Sequence, residues 1–223
     1  MTDDTSRPKI IQFYAKVGAP EAIFFVSLLA LFFIPFIGGI EDVLLNSILH
    51  TFFILSLYYL IYSSGLEKVR LFKLILLVSL IFTWVGHFSF ITIPQELRSI
   101  VEILVMFISF YFIYRSIFAS SRIDFNTLIA AVSGYMLIGI SLGISVYIFQ
   151  LLAPGSFSFP KEVSLRDAQY FSFVTMSTLG YGDILPITNN AKGFAILITL
   201  IGQFYMAIVV GLILGKLLTR QNS

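Results

Sequence analysis

Thr178-Leu179-Gly180-Tyr181-Gly182-Asp183 is the stretch whose reading decides the fold. Two glycines flank an aromatic residue, so the backbone can alternate between conformations that a β-carbon would forbid, and successive carbonyl oxygens can face the same way. A strand built like that has no place in an ordinary sheet. Four copies around one axis would instead stack the carbonyls of Thr178, Leu179, Gly180 and Tyr181, with the Thr178 hydroxyl, into oxygen cages that replace the water around a dehydrated cation. The bland reading, a glycine-rich surface turn, leaves the flanking segments unexplained.

Those segments lie in a chain of 223 residues that is 58% apolar and 12% charged, against roughly 45–50% and about 25% for a soluble domain. Apolar runs of about twenty residues recur, and strand-like alternation does not, so the fold class is an all-α membrane protein rather than a barrel. A net charge of +2 gives no footprint for nucleic acid, and none is expected as a partner. Without cysteine there is neither a disulfide framework nor a thiol site. No nucleophile and base pair, phosphate loop or metal motif stands out at membrane depth, so neither an enzyme nor an organic cofactor is expected.

Three parts follow in order. Residues 1–20 form a cytoplasmic N-terminal segment without the short apolar core of a signal peptide. Within it Ile10, Ile11, Phe13, Tyr14 and Val17 make a helical stripe broken by Lys9 and Lys16, suited to the membrane interface, with a frayed tail as the alternative. Residues 21–120 hold four spans, at Ala22 to Ile40, Ile48 to Tyr62, Leu71 to Phe90 and Ser99 to Phe118. Residues 121–223 hold a fifth, Asn126 to Leu152, and a sixth, Phe194 to Leu217. Each is near the length that crosses ~30 Å of hydrocarbon. With a cytoplasmic N-terminus, six crossings leave Arg98, Lys161, Arg166 and Lys192 outside and every other Lys and Arg inside, as the positive-inside rule demands. Both termini are then cytoplasmic, in a plasma or bacterial inner membrane, and the loop from Ala153 to Gly193 faces out.

Inside that loop, Ser164 with Asp167 three residues on reads as an N-cap before the run Leu165 to Met176, with Asp standing where a capping box has Glu. About twelve helical residues reach only ~18 Å, too short to cross, so this helix enters and the chain returns. Non-helical backbone at membrane depth survives only where protein or water satisfies it. One chain alone cannot do that, which argues for a homotetramer.

From Tyr170 to Lys192 the chain resembles the tetrameric potassium channels, whose signature is Thr-Val-Gly-Tyr-Gly-Asp; only the Val position differs, occupied by Leu179. The resemblance implies potassium ions held by Thr178, Leu179, Gly180 and Tyr181, with Gly182 closing the filter. Tyr170, Phe171, Thr175 and Asp183 would support it, Asp183 through hydrogen bonds near the pore helix or as a solvated rim carboxylate. The voltage-gated type has two tryptophans where this chain has Tyr170 and Phe171, and Phe171 offers no donor, which suggests a looser cuff behind Tyr181. Pro186, Thr188 and Lys192 also match the family's path. Gly202 falls where many such channels have a hinge glycine; the plainer reading is that it lets helices approach closely, as do Gly211 and Gly215, and Gly139 and Gly143 on the outer helix. Gly211 stands where a proline bend is common, so no proline gate is expected. Inner helices crossing near Leu214, Leu217 and Leu218 could close the path by dewetting.

Four spans ahead of a pore resemble voltage-gated channels in topology, yet Ser99 to Phe118 holds only Glu102 and Arg115, with Arg98 just outside. Known sensors use about three or four charges per subunit, so voltage sensing is expected to be weak or absent. Glu102 reads as interfacial near Arg98, or as a buried modulator site. His50 and His87 read as packed or interfacial, and Trp84 as packing or lipid contact. After Leu218 only Thr219 to Ser223 remain, so the expected controls are lipid, tension, ion occupancy, the first four spans or a separate regulatory subunit, with a largely always open pore as the alternative. The expected function is a potassium-selective channel, with a less selective cation channel or a non-conducting scaffold on the same fold as alternatives.

Overall fold

The computed structural model describes residues 19–38, 43–64, 69–88, 95–119, 125–160 and 162–221. The stripe from Ile10 to Val17 lies outside them, as do the side chains of His87, Arg98, Leu217 and Leu218. The described residues form seven helices: α1 Pro20–Gly38, α2 Val43–Ser63, α3 Arg70–Phe88, α4 Gln95–Ala119, α5 Phe125–Leu152, α6 Leu165–Met176 and α7 Asn189–Gln221. Among them there is no strand, only one isolated bridge between Phe157 and Pro186.

Local chemistry sets the ends. Pro20 opens α1, where its fixed φ suits a helix and its missing N–H would have been unpaired anyway. At the far end of α2 the hydroxyls of Ser63 and Ser64 donate to the carbonyls of Leu60 and Ile61, each at 2.7 Å. α7 begins five residues before the expected Phe194. Its cap is Thr188, whose hydroxyl accepts from Ala191 N at 3.3 Å and whose carbonyl accepts from Lys192 N at 2.9 Å. The polar first turn, Asn189 to Lys192, hides this start from a reading based on apolar runs.

Among the described residues four helices are long and apolar enough to cross a membrane: Leu44–Ser63, Ile100–Ile117, Phe125–Leu152 and Asn189–Gly215, with Pro20–Phe36 a shorter apolar helix. Leu55, Leu74 and Phe107 stand exposed on α2, α3 and α4, an apolar outside that water would not favour. Inside, one core runs through the first four helices and into α5, from Phe24, Leu28, Phe53 and Leu57 to Val105 and Ile113, and on to Ala130, Leu137, Ile140 and Ile144. α1 and α4 both pack directly on α5. The four-helix unit therefore lies against the outer helix of its own chain.

The few buried polar groups in that core are paired, as a low-dielectric interior requires. The Ser27 and Ser56 hydroxyls meet at 2.6 Å, and a ring nitrogen of His50 sits 3.3 Å from Ser79 Oγ. His50 is thus a packed histidine. Trp84 does more than pack, since its Nε1–H donates to Thr51 Oγ1 at 3.0 Å. A second cluster, around α6, holds Val146, Phe157, Ala168, Phe171, Met176, Ile184 and Ile198. Phe53 is fully buried, with its ring 5.4 Å from that of Phe24. Phe53→Ala is expected to cost about 3–5 kcal/mol, read as a clear fall in the melting temperature of the purified protein in detergent.

Candidate functional site

The support for the 178–182 ribbon is α6. Its N-cap residue Ser164 is extended at φ −98°, ψ 153°; the hydroxyl accepts from Asp167 N at 3.1 Å and donates to Asp167 Oδ2 at 2.7 Å. The shorter Asp thus returns the contact through the hydroxyl, where a Glu would reach the cap's own amide. Along its length α6 is clamped from three sides. Ser172 Oγ donates to the Gly139 carbonyl of α5 at 2.8 Å. A Cβ on Gly139 would stand 2.6 Å from the Phe173 ring, and one on Gly143 would stand 2.7 Å from the Gln169 Cα, so these two glycines let α5 and α6 touch. From α1, the Phe32 ring lies 4.7 Å from that of Phe173, and Arg166 Nη1 points at the Pro35 carbonyl at 3.4 Å.

After Met176 the chain turns back on itself. Thr178 N donates to Thr175 O at 3.1 Å, Leu179 N to Val174 O at 3.0 Å and Gly180 N to Val174 O at 3.3 Å. Left-handed backbone then recurs at every second residue: φ is +61° at Thr178, +58° at Gly180 and +80° at Gly182. The glycines adopt this freely. Thr178 does not, since a β-branched residue there costs on the order of 1–3 kcal/mol and persists only when its surroundings hold it. With the amides turned toward α6, the carbonyls of residues 178 to 181 accept no hydrogen bond among the described residues. The ribbon is exposed along its length, Tyr181 by 66% and Leu179 by 55%.

Tyr170 and Asp183 meet at the outer end of the ribbon. Tyr170 Oη donates to Asp183 Oδ2 at 2.7 Å, and Asp183 Oδ1 accepts from Ile184 N at 3.1 Å. The hydrogen bond to Asp183 pushes the phenol up to about 12, so it stays a donor at neutral pH. Phe171 is buried, edge-on to Phe157 at 5.2 Å. Of the two positions where the resemblance has tryptophan, one keeps a donor and the other has become core. Thr175 contributes through its carbonyl.

Beyond the ribbon, the returning chain is laced to the loop after α5: Ile187 N to Ser156 O at 2.8 Å, Ser158 N to Leu185 O at 2.9 Å, and Leu185 N to Ser158 Oγ at 2.7 Å. Gln150 Oε1 accepts from Phe157 N at 3.0 Å. Nothing in the sequence pattern singles out Ser156, Ser158 or Gln150.

On α7, Gly202 is pressed against α6: a Cβ there would stand 2.6 Å from the Met176 carbonyl oxygen. Of the two readings of Gly202, close approach has its contact in the structure. Gly211 and Gly215 face open space, and Leu214 is exposed. Tyr205 Oη, also unmarked in the sequence, donates to Ala131 O of α5 at 2.6 Å, in room left by Gly134. Most of the remaining α7 surface is bare and apolar, including Ile196, Leu200, Phe204, Ile208 and Val210. No cluster of three His, Asp or Glu residues forms among the described residues.

Comparison with known proteins meets this geometry at the same place. The family described as "Ion channel" matches residues 128–219, the stretch that contains α6, the ribbon and nearly all of α5 and α7. Residues 128–219 are thus similar to an ion-channel domain, and the chain is similar to potassium channels. Two-pore potassium channel 5 of Arabidopsis thaliana is 34% identical over 88 residues, covering 40% of this chain and 21% of that protein. The voltage-gated potassium channel Kch of Escherichia coli (strain K12) is 31% identical over 145 residues, covering 65% of this chain and 32% of that protein. Two-pore potassium channel 2 of Arabidopsis thaliana is 31% identical over 100 residues, covering 45% of this chain and 22% of that protein. The chain thus spans less than a third of the length of these relatives. No solved structure matches it.

The glycines of the second half divide by environment. Gly202→Ala is expected to lower the melting temperature sharply, because the Met176 backbone cannot yield, while Gly211→Ala leaves it unchanged; thermal unfolding of the two variants side by side measures the contrast.

Proposed function

We propose that the protein is a potassium-selective channel in which four copies surround one conduction path. The observation that carries this reading is the handedness alternation at Thr178, Gly180 and Gly182. It turns the amides of the ribbon toward Val174 and leaves one exposed edge of unpaired carbonyls. An unpaired carbonyl away from water costs free energy that a desolvated cation can return. In this arrangement Thr178, Leu179, Gly180 and Tyr181 supply the oxygen cages, the Thr178 hydroxyl the innermost ring, and Gly182 and Asp183 the outer mouth. Potassium is the cargo, passing between cages that bind it well enough to strip its water and loosely enough to release it.

The bare face of α7 is the second support. A long helix with Leu200, Phe204 and Ile208 exposed beside a ribbon with Tyr181 exposed is half of an interface. The C-terminal ends of four α6 helices would aim partial negative charge at a shared cavity and hold a cation below the cages. In this reading the chain crosses a cell membrane six times, residues 165–188 dip in and out on one side, and both termini are cytoplasmic. Gly202 packs the inner helix on α6, while Gly211, Leu214 and Leu218 lie further along it, where an apolar gate would close by dewetting. α4 carries Glu102 and Arg115 within its span. One charge crossing the whole field yields about 2.3 kcal/mol per 100 mV, so opening is at most weakly voltage-dependent.

Reconstitution in liposomes tests the proposal. Bi-ionic potentials are expected to favour potassium over sodium, with a shallow conductance–voltage curve; equal permeability would demote the protein to a general cation channel, and absence of any flux would leave a scaffold. Gly180→Ala, which strains the φ of +58°, is expected to abolish selectivity or conduction while leaving membrane insertion intact. Tyr170→Phe, which removes the donor to Asp183, is expected to shorten open bursts in single-channel records, and Tyr170→Trp to lengthen them again.

A further inference from the structure

The end of the helical bundle farthest from the 178–182 ribbon contains a cavity of about 460 Å³, bounded by α1, α2, α4 and the first turn of α5. Glu21 and Arg115 both line it. They form no ion pair with each other among the described residues. Glu21 Oε1 accepts from Ser116 Oγ at 2.8 Å, and Arg115 donates to no group among those residues. Ser64 and Asn126 add a hydroxyl and a carboxamide to the rim, and Leu60 and Phe112 supply an apolar part of the wall.

Two opposite charges in one wall, kept apart, select against a ligand of single sign. An anion drawn to the guanidinium meets the carboxylate, and a simple cation meets the reverse. A molecule bearing both charges a few bonds apart satisfies both. Arginine's planar fork matches a phosphate or carboxylate, and phosphate has the oxygens to engage the Asn126 carboxamide as well. A carboxylate accepts hydrogen bonds, so the positive end should carry N–H groups rather than methyl groups. The volume falls within the roughly 300–1,000 Å³ of ordinary ligand sites, and the apolar wall can take the first carbons that follow a phosphate ester.

We propose that this cavity binds a phosphate monoester or diester carrying a primary ammonium, the chemistry of phosphoethanolamine, with phosphate on Arg115 and ammonium on Glu21. The source is either the headgroup of a membrane phospholipid or the free compound. The site belongs to the four-helix unit and its junction with α5, so it stands independently of what the ribbon conducts.

The test uses the full chain purified in detergent. Phosphatidylethanolamine, phosphatidylcholine and phosphatidylglycerol are added in turn and retained lipid is counted by native mass spectrometry, while free O-phosphoethanolamine is tested by melting temperature and as a competitor. Phosphatidylethanolamine is expected to be retained about tenfold over the other two, the factor that loss of one charge-assisted hydrogen bond gives. Glu21→Gln, which keeps an acceptor for Ser116, and Arg115→Gln, at an exposed position, are each expected to erase that preference. Lys73→Gln, outside the cavity, is expected to keep it. A raised melting temperature and displacement by O-phosphoethanolamine would assign the free compound as source; preference for the lipid without displacement would assign the headgroup. Equal retention of all three lipids with no response to O-phosphoethanolamine overturns the proposal, as does wild-type preference in both cavity variants.

Discussion

The peptide carbonyl without a partner is the constraint from which the second half of the chain follows. Four residues in a row, 178 to 181, leave that group unpaired among the described residues, and they do so because three amides, those of Thr178, Leu179 and Gly180, return to the last turn of α6. A ribbon in this state cannot stand alone. It needs a helix end to take its donors, a turn that permits left-handed backbone at alternate positions, and something electropositive along its open edge. The first two are in the chain. The proposed cation and the neighbouring copies supply the third.

Holding the ribbon therefore means holding α6, and the close contacts of the second half converge there. Gly139 and Gly143 bring α5 to touching distance, Gly202 brings α7, and the Ser172 hydroxyl fixes the register against the Gly139 carbonyl. A helix of 12 residues has too few internal hydrogen bonds to be rigid by itself. Its stiffness comes from caps and neighbours: Ser164 with Asp167 at one end, Phe32 of α1 in the middle and Met176 under Gly202 at the other. Strain at Thr178 is tolerable because this frame is built around it.

The four-helix unit shares a continuous core with α5, so it is a buttress of the same subunit rather than an appended module. Its buried polar atoms are short-range serine, threonine and histidine pairs. At one end of it Arg115 and Glu21 line a common cavity.

The motif from Thr178 to Asp183, the helix from Leu165 to Met176 with its Ser164 cap, and the apolar runs of the long helices were all legible in the amino-acid order, because each depends on neighbours within a few residues. Composition likewise settled that the chain is helical and meets lipid. What depended on contacts across many residues was not legible: the left-handed φ at Thr178, which a β-branched residue conceals; the Tyr170–Asp183 bond, which restores a donor at a position read as a departure; the early start of α7 behind its polar cap; and the Tyr205 bond to Ala131. The packing of α1 against α6 and the meeting of Glu21 with Arg115 belong to the same class, since residues 94 positions apart become neighbours only once the bundle closes. Periodicity and propensity report local energies, and the tertiary structure alone decides which distant surfaces share the burial that stabilises them.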